Sequence, residues 1–154
     1  MSLIPITFDG TALYSTDLTI VSRFTRGSPG EPPQVRGTDD TVPGRPGRVP
    51  YPRVADVLPI GLLVRIQPSP TLTTSQSLAA IETLRRSLLT LFTPGVPRVL
   101  SAALKDGATA TINADVLPPV LVKDLIPDAP GFILEFDVAL ESVDPGWAVE
   151  PPLP

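Results

Sequence analysis

The chain has 154 residues, 12 basic and 16 acidic side chains, a formal charge of −4 and a hydrophobic fraction of 42%, a length that suits one domain burying roughly two thirds of its unfolded surface. It contains no cysteine and no histidine, which excludes disulfide staples, thiol nucleophiles, thiolate or imidazole metal sites and histidine acid/base catalysis. Mean hydropathy is +0.22, yet the longest apolar run, around Val57 to Val64, is broken by Pro59 and Gly61 and falls far short of the ~20 residues a spanning helix needs. Part of the apolar surface is therefore expected to be covered by other subunits. Met1 to Gly10 lacks a basic region and already holds Asp9, so no secretory leader is expected there.

Taken in order, Leu3 to Phe8, Asp9-Gly10 and Ala12 to Tyr14 read as strand, tight turn and strand. Leu18, Ile20, Ser22 and Phe24 alternate with Thr19, Val21 and Arg23, the period-two pattern of a strand with one buried face. Seven prolines and five glycines then interrupt the stretch from about Gly27 to Pro52. Proline removes ladder donors, so residues 27–52 are predicted to be an extended arm or long hairpin whose middle lacks continuous pairing, with strand pieces at Gln34 to Arg36 and Thr41 to Val42. Such a loop is either a flexible linker or a preorganised arm that orders against a neighbouring subunit, its prolines lowering the entropy lost on docking.

Ile60, Leu62, Val64 and Ile66 predict a central strand. Residues 74–92 predict the one long helix: Leu78, Ile81, Leu84, Leu88 and Leu91 recur at steps of three or four, Phe92 widens the stripe, and Glu82, Thr83, Arg86 and Thr90 lie opposite. Thr73 and Gln76 have capping-box spacing, and Pro94 and Gly95 stop the helix. Arg98 to Leu104 and Ala108 to Val116 flank Asp106-Gly107, a hairpin signal. Pro118 and Pro119 are expected to break the chain before a strand resumes from Val120 to Ile126, with a turn from Pro127 to Gly131. In the last strand Phe132, Leu134, Phe136, Val138 and Leu140 point one way, and Glu135, Asp137 and Glu141 the other. Residues 144–154 read as a proline-bearing cap around Trp147. The fold class is mainly β (α+β) with one flanking helix.

No catalytic constellation emerges. Without histidine a serine nucleophile would need a lysine base, and Lys105 and Lys123 fall at turn or edge positions. The chain is thus expected not to be an enzyme and to need no cofactor or metal. Glu135, Asp137 and Glu141 could in principle serve glycoside hydrolysis or a Ca2+ site, but a solvated strand face accounts for them more simply. Gly44-Arg-Pro-Gly47 is not followed by a helix start, against a phosphate loop. The arm holds a single aromatic, Tyr51, in an acidic chain, against ordinary nucleic-acid binding. Charge is nevertheless uneven. From Arg23 to Arg53 six arginines face three acids, a net of +3, and from Asp106 to Glu150 nine acids face Lys123 alone, a net of −8. Opposite signs at two ends suit head-to-tail contact between copies, or two ordinary solvated faces.

Val35-Arg-Gly-Thr-Asp39, Val42-Pro-Gly-Arg-Pro-Gly-Arg48 and Arg53-Val-Ala-Asp56 before a hydrophobic strand resemble a segment of minor and distal tail proteins of long, non-contractile-tailed bacteriophages. The later helix, hairpin and final strand ending in Asp144-Pro-Gly-Trp147 follow the same order. The resemblance implies a tail-tube-type fold, a β-sandwich or partly open barrel flanked by one helix. It also implies a homo-oligomeric ring, typically hexameric, whose sheets join around a channel and whose long loops reach an adjacent subunit or ring. Arg36, Asp39, Pro43, Gly44, Gly47 and Arg48 would then be the arm's contact residues, and Glu135, Asp137 and Glu141 would line the lumen, repelling DNA that passes as cargo. The implied partners are the tail tube protein and the tail tip, hub and tape measure proteins, in the tail of the virion. No receptor- or carbohydrate-binding domain is expected after Pro154. Alternatives are a major tube or tail-completion ring protein and, from another class, a monomeric β-sandwich binding module, for instance for glycans. Light scattering separates the last from the others.

Overall fold

A computed structural model describes residues 5–17, 19–30, 58–129, 131–144 and 146–150, and the backbone alone at 35–36, 39–41, 48–50 and 54–55. The strands are β1 (Ile6–Phe8), β2 (Thr11–Ala12), β3 (Ile20–Arg26), β4 (Val35–Arg36), β5 (Asp39–Thr41), β6 (Arg48–Pro50), β7 (Val54–Ala55), β8 (Pro59–Ile66), β9 (Arg98–Ala103), β10 (Thr109–Asp124), β11 (Leu134–Ser142) and β12 (Ala148–Glu150), with helix α1 (Thr74–Leu91) between β8 and β9. Eight of them form one antiparallel sheet in the order β2-β1-β9-β10-β11-β8-β3, with β12 beside β10. The sheet stays open and is not closed into a barrel. The chain is thus mainly β with one flanking helix, as the sequence predicts.

Local chemistry accounts for most elements. The turn from β1 to β2 carries Asp9 at φ 53 and Gly10 at φ 77, the two positive values a tight hairpin turn requires. On α1 the Thr73 side chain accepts from the Gln76 backbone N–H while the Gln76 side chain accepts from the Thr73 N–H, completing the capping box. Ile81, Leu88 and Phe92 sink into the core, where Phe92 lies 5.9 Å from Phe8 and 6.5 Å from Phe136 between ring centroids. The predicted stripe needs one correction. Leu78 is 41% exposed and Ser77 takes the buried place in the first turn, because the buried arc is centred on 77, 81, 84 and 88, and Leu78 sits about 100° round from Ser77.

β10 departs further from expectation. Pro118 and Pro119 do not break the chain, and one 16-residue strand runs from Thr109 to Asp124 through a cis bond between them. Leu117 pairs with Ala139 and Leu121 with Asp137, so Pro118, Pro119 and Val120 together oppose Val138. The missing N–H groups fall in that bulge, where no regular ladder bond is required. On its other side β10 pairs with β9 only as far as Ala114.

The arm is the distal part of the hairpin made by β3 and β8. Their ladder reaches Arg26↔Gly61, and two further short antiparallel ladders pair Val35↔Ala55 and Arg36↔Val54, and Asp39↔Pro50, Asp40↔Val49 and Thr41↔Arg48. These pairs are those of a long hairpin; the residues between them, where the prolines predict interrupted pairing, lie outside the described residues. Among the proposed contact residues Arg36, Asp39 and Arg48 stand in these short ladders, whereas Pro43, Gly44 and Gly47 lie outside the described residues.

Candidate functional site

Alternation along β11 puts Phe136, Val138 and Leu140 in the core under α1 and turns Glu135, Asp137 and Glu141 to the opposite face. All three carboxylates therefore share the face that the helix does not cover. Register then decides their surroundings. Glu135 stands between Arg65 on β8 and Lys123 on β10, Asp137 between Leu63 and Leu121, and Glu141 between Pro59 and Asp115.

Glu135 is not a solvated carboxylate. It is 8% exposed, with Arg65 Nη2 at 3.3 Å from Oε2 and Lys123 Nζ at 3.6 Å from Oε1. A cation, an anion and a second cation thus cross three adjacent strands. Both cations are about half exposed or more, so the pairs contribute modestly to stability while cancelling the charge. Asp137 and Glu141 are exposed and have no hydrogen-bond or ion-pair partner among the described residues. Arg23, the β3 neighbour of Leu63, Arg26, opposite Gly61, Asp115, and Glu150, opposite Thr109, stand on the same face. Four cations then stand against five anions among the strand residues of this face, so the acids of β11 sit in a nearly balanced surface. Exposed Leu121 (58%) and Val99 (48%) give it apolar patches as well.

The arm's root is built separately. Gly27, at φ +70, packs so closely on β8 that a Cβ there would lie 2.3 Å from the Pro59 carbonyl oxygen. Gly61 likewise leaves room for Thr25. The Trp147 indole Nε1 donates to the Gly27 carbonyl at 2.9 Å, and its ring meets Phe24 edge-on at 5.6 Å. Sequence reasoning marked Trp147 as a cap without finding what it caps, because Gly27 lies 120 positions away. It missed Arg65 and Lys123 for the same reason, although the alternation of β8 already placed Arg65 on the open face.

The fold has a counterpart among solved structures. A solved structure similar to this chain is that of SPP1 Dit, described as a paradigm of the hub adsorption apparatus in phages that infect Gram-positive bacteria: the two match with a TM-score of 0.57 at 13% sequence identity, over 94% of this chain and 51% of Dit. This chain therefore spans about half the length of Dit, and the likeness is one of fold. No family model and no curated protein sequence matches the chain. No helix among the described residues is long and apolar enough to cross a membrane.

Proposed function

We propose that the chain is a structural component of a phage tail, a ring-forming and non-enzymatic subunit that joins the tail tube to the distal tip and surrounds the DNA channel. The observation that carries this reading is the Dit-like fold across 94% of the chain. Two features support it: one face of the sheet is exposed opposite α1, and β3 ends the sheet among the described residues. Strand edges of this kind invite further chains. In this reading the partners are copies of the chain, probed first as a hexamer, together with tube, tip, hub and tape measure proteins in the virion tail. The arm bearing Arg36, Asp39 and Arg48 is the contact element, and the face of Glu135, Asp137 and Glu141 borders the channel. No cofactor enters.

Electron micrographs of the purified protein, read beside its mass by light scattering, test the reading. Rings with a central hole and a mass several times 16.3 kDa are expected. A persistent monomer that is also missing from purified virions would overturn it. Fold does not fix position along a tail, so labelled antibody on intact particles separates a place at the distal junction from one in the tube or at its completion ring.

A further inference from the structure

The arm leaves the sheet through two roots, the segment after β3 and the segment before β8, and one short stretch holds both. Trp147 takes the first root through its bond to the Gly27 carbonyl and its contact with Phe24. Ser142 takes the second: its Oγ accepts from the Leu58 N–H at 2.7 Å, its own N–H donates to the Leu58 carbonyl at 3.0 Å, and its hydroxyl donates to the Asp144 carbonyl. Ser142 and Leu58 are 2% and 3% exposed, so water does not compete for these bonds.

The stretch is itself fixed to the sheet. It is bracketed by β11 and β12, both paired with β10, and Asn113 of β10 rivets it by accepting from the Val143 N–H at 2.8 Å and donating its backbone N–H and its side-chain amide to Asp144 Oδ2 at 3.1 and 3.2 Å. An isolated two-stranded ribbon is marginally stable, and the register of β3 on β8 becomes irregular between Phe24 and Arg26, beside the first root.

From this arrangement we infer that Ser142, Asp144 and Trp147 form a clasp that fixes the direction in which the arm leaves the sheet, with Trp147 and Ser142 as its positioning residues. The clasp presents the arm to a second copy of the chain in one orientation, so that little orientational freedom is lost on docking. That last consequence rests on the reading of the arm as a contact element; the clasp itself does not.

The chain has no cysteine, so Asp40→Cys with Lys105→Cys gives one spin-label pair reporting the arm against the sheet. The distance distribution is expected to be narrow in the otherwise unaltered chain and to broaden at least about twofold when Trp147→Phe and Ser142→Ala are added. An unchanged width would overturn the clasp. Hydrogen exchange on the unaltered chain needs no variant to fold: the Leu58 amide should exchange about as slowly as those of β11, ~100-fold or more below an open amide, and exchange at the open rate would equally overturn it. Broadening in a chain that forms no rings upholds the clasp and removes the ring reading. An unchanged width in a chain that does form rings does the reverse.

Discussion

Asp17 joins three places in the chain through one carboxylate. Its Oδ1 accepts from Ser15 Oγ at 2.8 Å and the Thr19 N–H at 3.1 Å, and its Oδ2 accepts from Ser69 Oγ at 3.0 Å, tying the segment before β3 to the one before α1. These bonds, that of Ser15 foremost, hold the carboxyl at about 2. Glu82 is held at about 2 by Arg85, whose guanidinium donates to it at 2.6 and 2.9 Å, with a further contribution from Arg86. Both folded values lie below the unfolded ones near 4, so the stabilisation is complete above about pH 4.5 and is lost as pH falls through 2. The melting temperature should therefore drop between pH 5 and 2.5, and Asp17→Asn should shrink the drop. Circular dichroism melts at the two pH values check this, and an equal drop in the Asn variant would clear Asp17 of the role. Gly61 is the second informative residue. A Cβ there would lie 2.1 Å from Thr25 Oγ1, so Gly61→Ala should cost about 1–3 kcal/mol. Adding Thr25→Ala should recover much of that in urea unfolding, since the two sites share one clash.

At the scale of elements, α1 separates local from tertiary contributions. Thr73→Ala removes the acceptor for the Gln76 N–H and should cost about 1 kcal/mol. Phe92→Ala empties the contact with Phe8 and Phe136 and should cost about 3–5 kcal/mol. Chemical denaturation of the two variants measures the contrast, and a larger loss from the cap than from the ring would contradict the packing described. The same division explains what could be read beforehand. The capping box, the Asp9-Gly10 turn and the alternation of β11 are written in neighbouring residues, and the sequence shows them. Whether two prolines end a strand depends on what lies beside them, which no nearby residue states. β10 therefore runs on where a break was expected. The partners of Glu135 follow from register, and those of Trp147 from a contact across most of the chain. The face bearing the acids was legible; its near neutrality was not.

For the whole molecule, the balanced face sets an expectation for any ring built from it. In the proposed ring, repulsion of phosphate by β11 would rest on Asp137 and Glu141, since Glu135 is already matched by Arg65 and Lys123. Rings carrying Asp137→Lys and Glu141→Lys should hold DNA at low salt and release it as salt rises. Retention assays across a salt series would show this, and identical retention by unaltered rings would remove these residues from the channel.

The two adjacent prolines of β10 bear on the protein's life before assembly. They lie on a strand that pairs with β9 only as far as Ala114, among exposed Leu117, Leu121 and Val122, a composition that would otherwise template fibrils. Two successive residues without N–H groups spoil that template, so chance pairing of copies along this stretch is disfavoured. Replacing both with threonine should bring on thioflavin-positive aggregates at concentrations where the natural sequence stays clear.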